Sequence, residues 1–209
     1  FVIGDLHFGY EEELNNLGIA VPFRMLEKIK KEIININKKI DKIDKIIILG
    51  DLRHSFGKIL KKEKEEIGDF LNFIKTIFPD IKIIITKGNH DTMLNIILKM
   101  GKWENVKIVD YFLYKNMLFL HGHYASFEKI IVGHFHPAID ITDGQKIERY
   151  KCFIEGYLIK KKIIICPSFF PFIDGANILG DCELNYYNIK NKKISVIDSD
   201  GNIYDFGNI

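Results

Sequence analysis

Apolar and polar positions alternate along the first half of the chain in segments that predict strands and helices in turn. Strands are predicted at residues 1–3, 45–49 and 81–86, where apolar runs without alternating polar residues are typical of strands covered on both faces. Between them, apolar residues recur at helical spacing over residues 21–37 and 63–78, with Pro22 in the first turn of one helix and Pro79 after the end of the other. The order β-α-β-α-β predicts a largely parallel sheet flanked by helices.

After about Lys107 the pattern changes to short apolar segments separated by turn residues. Turns are predicted at four places, which are Lys115 with Asn116, the neighbourhood of Lys161, the neighbourhood of Asn191, and Asp200 with Gly201. The second half is therefore expected to be mostly β. We expect residues 1–209 to form a single domain of the α/β (α+β) class, in which two mixed sheets pack together between helices.

Composition excludes some classes of protein without choosing a function. Thirty Lys and Arg against 28 Asp and Glu leave a net charge of +2, which is too small by itself to indicate nucleic-acid binding. Cys152, Cys166 and Cys182 have no C-x-x-C spacing and cannot all pair, so they predict core thiols of a cytoplasmic protein. No apolar run approaches the length of a membrane span. The chain begins at Phe1 inside a predicted strand, so we expect a truncated N-terminus.

Polar clusters end five of the apolar segments. They read GDLH, GDLRH, KGNHD, HGH and GHFHP, and they contain all seven histidines of the chain, which are His7, His54, His90, His121, His123, His134 and His136. In open α/β sheets the strand ends converge on one crevice, so these side chains are expected to meet. The alternative interpretation is seven scattered surface or hydrogen-bonded histidines, which leaves their restriction to five strand ends unexplained.

A crevice that gathers Asp5, Asp51, Asn89 and several imidazoles needs a compensating positive charge. The donors are carboxylate, imidazole and amide groups without a thiolate, a mixture that suits manganese, iron or zinc. Their number exceeds the need of one tetrahedral ion and suits two ions that share a bridging carboxylate. The sequence therefore predicts two divalent metal ions.

The order of motifs D-x-H, G-D-x-x-H, G-N-H-D, H-G-H and G-H-x-H resembles that of the calcineurin-like metallophosphoesterase superfamily over residues 1–137. The flanking segments GDLHFGYEEELNNLGIAVP and CFIEGYLIKKKIIICPSFFPF are similar to those of its archaeal SbcD-related, ICC-like branch. The resemblance implies a four-layer sandwich of two mixed sheets flanked by helices, with the active site at the C-terminal strand ends. It also implies a two-metal phosphoesterase, most simply a manganese enzyme, with iron, zinc or nickel as alternatives.

The resemblance implies a role for each matched residue. Asp5, His7 and His136 would hold one ion, Asn89, His121 and His134 would hold the other, and Asp51 would bridge the pair. Similar enzymes place a metal-bridging hydroxide in line with the phosphorus.

Four further residues have roles outside the metal ligands. His90 would stabilise the developing charge or protonate the leaving group. His54 stands where the protein-phosphatase branches have Asp, and a histidine at this position favours phosphodiesters. His123 is expected to face the substrate or support a ligand, with a plain structural role as the alternative. Asp91 would begin the helix that continues to Met100, with a capping role alone as the alternative.

Three functions remain open from the sequence. The first is a metal-dependent phosphodiesterase, with nucleic acid among its candidate substrates and no membrane partner. The second is a phosphomonoesterase that acts on a nucleotide or a small metabolite. The third is a non-catalytic scaffold, which would be free to lose His90 but here retains it. Only 12 residues separate His121 from His134, which leaves space for only a short connection if their strands are parallel. The chain also lacks the long additional region with which larger SbcD-like nucleases grip DNA.

Overall fold

The computed structural model describes residues 1–101, 103–122, 129–180 and 182–209. The chain divides into two compact units. Unit 1 comprises Phe1–Asp110 and Phe169–Phe172, and unit 2 comprises Tyr111–Ser168 and Ile173–Ile209. Each unit has its own sheet, so the chain is a mixed α/β protein with two sheets and flanking helices, as the sequence predicts. Whether residues 1–209 act as one domain stays a prediction.

Unit 1 contains a four-stranded sheet in the order β1-β2-β3-β4, and every neighbouring pair is parallel. Its strands are β1 (Val2–Ile3), β2 (Lys45–Ile48), β3 (Lys82–Thr86) and β4 (Val106–Val109). Its helices are α1 (Tyr10–Asn16), α2 (Met25–Lys38), α3 (Lys61–Ile77) and α4 (Leu94–Gly101), with a 3-10 turn at Asp91–Met93. The predicted parallel sheet is confirmed, because all three strand pairs are parallel.

Helix α2 begins at Met25, four residues later than the sequence predicts, because the preceding helix caps it. The Glu11 carboxylate of α1 is buried and accepts hydrogen bonds from the backbone N–H groups of Arg24 and Met25, at 2.9 and 3.1 Å. An acidic group at a helix N-terminus satisfies free amides and complements the helix dipole. This contact between α1 and α2 depends on tertiary structure, and α1 itself was not predicted from the sequence.

Unit 2 contains a nine-stranded mixed sheet. Its main path runs in the order β11-β8-β9-β10-β7-β6-β5, and β12 pairs with both β9 and β13. The strands are β5 (Phe112–Tyr114), β6 (Met117–Leu120), β7 (Lys129–Val132), β8 (Pro137–Thr142), β9 (Ile147–Leu158), β10 (Lys161–Ile165), β11 (Ala176–Asn177), β12 (Lys190–Ile197) and β13 (Ile203–Asn208). A buried apolar cluster that includes Ile139, Ile154 and Ile165 holds this sheet together.

Three of the four predicted turns of the second half join antiparallel strands. Lys115 and Asn116 connect β5 to β6, the turn before Lys161 connects β9 to β10, and the turn at Gly201 connects β12 to β13. The predicted turn near Asn191 is wrong. Asn191 lies inside β12 with a positive φ of 53°, where the pairing with β9 shifts register. A bulge and a turn both use a left-handed residue, so local sequence does not separate them.

The prediction that the cysteines are core thiols is confirmed, since all three are free and buried. Burial raises the pKa of Cys152 to about 12, so this thiol stays neutral at physiological pH. Among the described residues, no helix combines the length and apolarity that crossing a membrane requires.

Candidate functional site

The loops that follow β1 and β2 continue the parallel pairing of those strands. Backbone N–H groups of the first loop donate to carbonyls of the second, from Asp5 to Gly50 at 3.0 Å and from His7 to Asp51 at 2.9 Å. Farther along, the His54 N–H donates back to the Phe8 carbonyl at 2.9 Å. This ladder places the D-x-H and G-D-x-x-H motifs side by side at the C-terminal end of the unit 1 sheet.

Many of the predicted metal ligands have strained backbone conformations. Asp5, His7, Asp51, His134 and His136 all have positive φ, between 43° and 70°. A non-glycine residue in the left-handed region is uncommon and costs free energy, so it persists where the surrounding structure over-determines it. Five of the seven predicted ligands share this feature, which supports a common functional constraint on them.

The loop after β3 approaches Asp51 closely. A Cβ atom on Gly88 would lie 2.1 Å from Asp51 Oδ1 and 2.3 Å from the Asp51 backbone nitrogen, so glycine alone fits there. The His90 N–H donates to Asp51 Oδ1 at 3.0 Å. Asn89 lies between Gly88 and His90 in the sequence and is exposed. The close approach at Gly88 thus brings the G-N-H-D motif against the carboxylate that is predicted to bridge the metals.

Three histidines of unit 1 form a compact cluster. His7, His54 and His90 each offer a ring nitrogen within 4.8 Å of the others. The Nδ1 atoms of His7 and His54 lie 3.4 Å apart, and the rings of His54 and His90 stack with centroids 5.5 Å apart. The expectation that the strand ends of the first half gather their imidazoles is met within this unit.

The tautomer of neutral His90 follows from its surroundings. His90 Nδ1 is hydrogen-bonded to the backbone carbonyl of His54, and a carbonyl can only accept. Nδ1 therefore carries the proton, and the lone pair of the neutral ring is on Nε2, which lies 3.9 Å from Asp51 Oδ2. A protonated His90 would present an acidic N–H at the same atom. Either form leaves Nε2 as the reactive nitrogen.

His54 is held in the neutral form at physiological pH. Burial lowers the pKa of His54, and the nearby His90 adds to this, while Glu13 and Asp51 act in the opposite direction. The Glu13 carboxylate lies 3.7 Å from His54 Nε2 and accepts a hydrogen bond from the Ser55 hydroxyl. Burial is the largest of these effects, so the carboxylates do not keep this imidazole charged.

A buried ion pair that the sequence analysis missed supports the His54 loop. The side chains of Arg53 and Glu63 are fully buried, with Arg53 Nη2 at 2.8 Å from Glu63 Oε2. The Glu63 carboxylate also accepts from the backbone N–H groups of His54 and Ser55, at 3.3 and 3.1 Å. Arg53 Nη2 donates to the Lys58 carbonyl at 2.5 Å and closes the loop. The sequence signal is Arg53 itself, a charged residue inside the G-D-x-x-H motif that has no acidic residue three or four positions away.

Asp91 links two loops in addition to starting a helical turn. Its carboxylate accepts from the Gly88 N–H at 2.9 Å and from the Arg53 N–H at 3.2 Å. It is buried at the start of the 3-10 turn that leads into α4. Both contacts lie in the loops that carry His54 and His90, so Asp91 does more than cap a helix.

A second buried carboxylate supports the loop after β1. Glu66 of α3 accepts from the Gly9 N–H at 3.0 Å, and Gly9 has a φ of 92° that favours glycine. Burial raises the pKa of Glu66 to about 7. The loop that carries the D-x-H motif is therefore supported by the Glu66 carboxyl group of α3, whose pKa lies near neutral pH.

In unit 2, two predicted ligands follow neighbouring parallel strands. β6 pairs with β7 in parallel, so His121 and His134 emerge from the same edge of the sheet. Their rings lie close together, with His134 Nδ1 at 3.1 Å from His121 Nε2. His136 directly precedes β8 and is half-buried. His123 lies outside the described residues, together with the rest of residues 123–128.

The donors of unit 1 suit a metal ion. Asp5, His7 and Asp51 are buried, and burial of carboxylates is costly without positive charge nearby. His7 Nε2 lies 3.9 Å from Asp51 Oδ2, which is longer than a hydrogen bond. Two donor atoms that bind the same ion, each at about 2.0–2.2 Å from it, can lie this far apart. The chain thus has clusters of His and Asp side chains that could bind metal ions.

A model of the family described as calcineurin-like phosphoesterase matches residues 1–197 of this sequence. The chain belongs to this family. It is therefore a hydrolase that acts on phosphate esters, and the clusters described above are the metal-binding candidates of a calcineurin-like phosphoesterase. The family resemblance predicted from the five motifs is confirmed, while the archaeal SbcD-related branch stays a prediction.

Solved structures show how far the likeness extends. A nuclease named MPE from Pseudomonas putida superposes with a TM-score of 0.65 at 17% identity, over 98% of this chain and 86% of the other. The phosphoesterase YfcE from E. coli gives a TM-score of 0.49 at 13% identity, over 100% and 96% of the two chains. A search of curated proteins found no match to this sequence. At these identities the nuclease MPE supports the calcineurin-like phosphoesterase fold alone.

Proposed function

We propose that this calcineurin-like phosphoesterase is a metal-dependent phosphodiesterase. One observation carries the proposal most directly, which is the cluster of His7, His54 and His90 beside the Asp51 carboxylate. The family membership supports hydrolysis of a phosphate ester. The second imidazole, His54, supports a diester substrate, because it stands where the protein-phosphatase branches of the family have Asp and the nuclease-like branch has His.

Two divalent ions are the proposed cofactor, with manganese as the first candidate. The proposed ligands of the first ion are Asp5, His7 and His136, those of the second are Asn89, His121 and His134, and Asp51 is shared. Bound ions of this kind supply positive charge to the phosphate oxygens and lower the pKa of a water molecule. The mixture of carboxylate, imidazole and amide donors supports a transition metal rather than magnesium.

His90 is proposed to act on the leaving group. Its Nδ1–H is directed to the His54 carbonyl, which holds the ring in one orientation and leaves Nε2 for the substrate. A protonated Nε2 can donate to the departing oxygen as general acid. His54 is proposed to fix His90 through this carbonyl and to contact the substrate with its own ring.

Nucleic acid is the proposed substrate class, within the SbcD-related, ICC-like branch. The flanking segments of the first and last motifs support this branch. The similar Pseudomonas putida protein is named a nuclease, which agrees with the proposal.

The test is the release of nitrophenol from bis(p-nitrophenyl) phosphate by the metal-reconstituted protein. We expect turnover with manganese, loss on chelation, and a loss of about a hundredfold or more in His90→Ala. The exposed Asn95 of α4 offers a matched control, and Asn95→Ala should retain the activity. No turnover of mono- or diesters with any divalent metal would refute the proposal.

The same assay separates the two enzymatic alternatives. A phosphodiesterase should turn over the bis-ester faster than p-nitrophenyl phosphate. Faster turnover of the monoester would replace the diesterase proposal with a phosphomonoesterase that uses the same site.

A further inference from the structure

Aromatic rings of unit 1 form a continuous series of contacts that passes through the histidine cluster. Successive centroids lie 3.9, 5.5, 4.8, 5.2 and 6.1 Å apart in the order Phe56, His90, His54, Tyr10, Phe170, Phe172. We call these six residues the ring series. Its second and third members, His90 and His54, are the histidines proposed to act on the substrate. Phe56 contacts His90 directly, and Phe172 lies three ring contacts from His54.

Both ends of the ring series are open to solvent. Phe56 is 61% exposed and Phe172 is 43% exposed, whereas Phe170 between them is fully buried. A phenylalanine contributes about 1.5–3 kcal/mol when it is buried and much less when it is exposed. The exposed ends therefore add little to folding and are available for a flat ligand.

Phe56 is exposed but its loop is firmly held. It occupies the tip of a turn in which Gly57 has a φ of 72° and the Lys58 N–H donates to the Phe56 carbonyl. On either side, Ser55 and Lys58 are bound by the buried Glu63 and Arg53 side chains. A ring presented on a fixed loop loses little conformational entropy when a ligand stacks on it.

Cations accompany the exposed aromatic rings of unit 1. Lys28 Nζ lies 4.3 Å from the centroid of Phe172, and Lys62 Nζ lies 5.7 Å from that of Phe23. These ammonium groups provide positive charge beside flat apolar surfaces. Stacking platforms with adjacent positive charge are the means by which proteins bind single-stranded nucleic acid without reading its sequence.

We propose that Phe56 and Phe172 are stacking positions for the bases of a single-stranded nucleic acid whose scissile phosphate lies at the histidine cluster. This inference rests on the proposed phosphodiesterase function and adds to it a specificity for single-stranded nucleic acid. In a duplex, the faces of the bases are covered by their neighbours in the stack, so a splayed single strand suits these rings better. The contacts are with ring faces, so the site should tolerate any base.

Binding without cleavage provides the first test. Fluorescence anisotropy in the presence of a chelator would compare a labelled short oligothymidylate with an abasic strand of the same length and charge. Base stacking is worth about 1–3 kcal/mol per base, so losing both stacked bases should weaken binding of the abasic strand about a hundredfold. Phe56→Leu should weaken binding of the oligothymidylate about tenfold and leave the abasic strand unaffected, while Phe56→Trp should restore the affinity.

Phe206 of β13 offers a matched control, because it is an exposed phenylalanine outside the ring series at 45% exposure. Phe206→Leu should bind the oligothymidylate as the wild type does. Phe172→Leu should behave as Phe56→Leu does. Any one of three results would overturn the inference. They are equal affinity of the wild type for the two strands, an unchanged affinity for the oligothymidylate in Phe56→Leu, and tighter binding of a duplex of the same sequence.

The two proposals fail separately. Turnover of bis(p-nitrophenyl) phosphate combined with base-independent binding would leave the phosphodiesterase intact and refute the stacking positions. The opposite result is tighter binding of the oligothymidylate than of the abasic strand, a loss of this preference in Phe56→Leu, and no turnover of any ester. It would refute the phosphodiesterase and retain Phe56 as a nucleic-acid contact.

Discussion

The strand ends of the two units are built in different ways. Among the described residues, twelve polar or charged side chains are buried; ten belong to unit 1, and only His121 and Ser168 belong to unit 2. In unit 1, the loops that carry the proposed site are held by buried carboxylates and a buried guanidinium. In unit 2, the histidines extend from strands of a large sheet with an apolar core.

The difference shows two ways to hold a functional side chain. A strand in a packed sheet fixes the residue at its end through the sheet itself, as β6 and β7 do for His121 and His134. A longer loop needs its own partners, because its backbone N–H groups must be satisfied where it is buried. Glu63, Glu66 and Asp91 provide those partners in unit 1.

The largest expected effect comes from the carboxylate at the centre of the unit 1 loops. Asp51→Asn removes the charge that is proposed to bind both metals, so turnover of bis(p-nitrophenyl) phosphate should fall by roughly a hundred- to a thousandfold. Metal content measured by atomic emission should fall as well. Asp69→Asn, an exposed carboxylate of α3, should leave both unchanged. Full activity in Asp51→Asn would contradict the proposed role.

The buried ion pair gives the sharpest contrast in stability. Arg53→Met leaves Glu63 charged and buried without its partner, and we expect the free energy of unfolding to fall by about 3–5 kcal/mol in denaturant titrations. The double variant Arg53→Met with Glu63→Leu should recover part of this loss, because no unpaired charge remains.

The control for this pair lies in unit 2. Lys162 and Glu155 form an exposed ion pair at 2.7 Å, and Lys162→Met should cost less than about 1 kcal/mol. Similar losses in Arg53→Met and Lys162→Met would remove the distinction that we draw between the two units.

Two glycines test how tightly the loops are packed. Gly88→Ala should destabilise the protein by about 1–3 kcal/mol and reduce turnover, since the added Cβ would lie 2.1 Å from Asp51 Oδ1. Gly122→Ala meets His134 Cβ at 3.0 Å, where a small shift of the side chain relieves the contact, so its effect on unfolding should be smaller. The reverse order would mean that the unit 2 strand end is the more rigid one.

The effect expected from Glu66 depends on pH. The pKa of Glu66 is raised from 4.5 to about 7, so the folded state holds this proton over a range in which the unfolded state has released it. The contribution to stability is therefore present below pH 4.5 and is lost as the pH rises to about 7. Between these limits, the wild type should lose about 3 kcal/mol relative to Glu66→Gln. Unfolding of both proteins by denaturant across this range measures the difference.

Glu65 is the matched control for this titration, since it is an exposed neighbour in α3. Glu65→Gln should follow the wild type at every pH. A constant difference between the wild type and Glu66→Gln would show that the pKa of Glu66 is the same in the folded and unfolded states.

Much of the fold could be predicted because its signals are local. The uninterrupted apolar runs predict β2 and β3, and the helical spacing of Ile29 and Ile33 predicts α2. The start of α2 could not be predicted from local sequence, since it depends on the Glu11 carboxylate of another helix. Asn191 shows the same limit, because bulges and turns share the residues that tolerate positive φ.

The sequence by itself determined which chemistry is available. Histidines, carboxylates and an amide at five strand ends predict a metal site, because parallel strands direct their ends to one edge. The resemblance of the five motifs to the calcineurin-like family is what implies a phosphoesterase. Only the tertiary structure decided which groups support that chemistry. The Arg53–Glu63 pair, the proton on His90 Nδ1 and the placement of Phe56 beside His90 all depend on contacts between residues ten or more positions apart in the chain. Hydrogen bonds and desolvation act between neighbours in space, so spacing along the sequence does not reveal them.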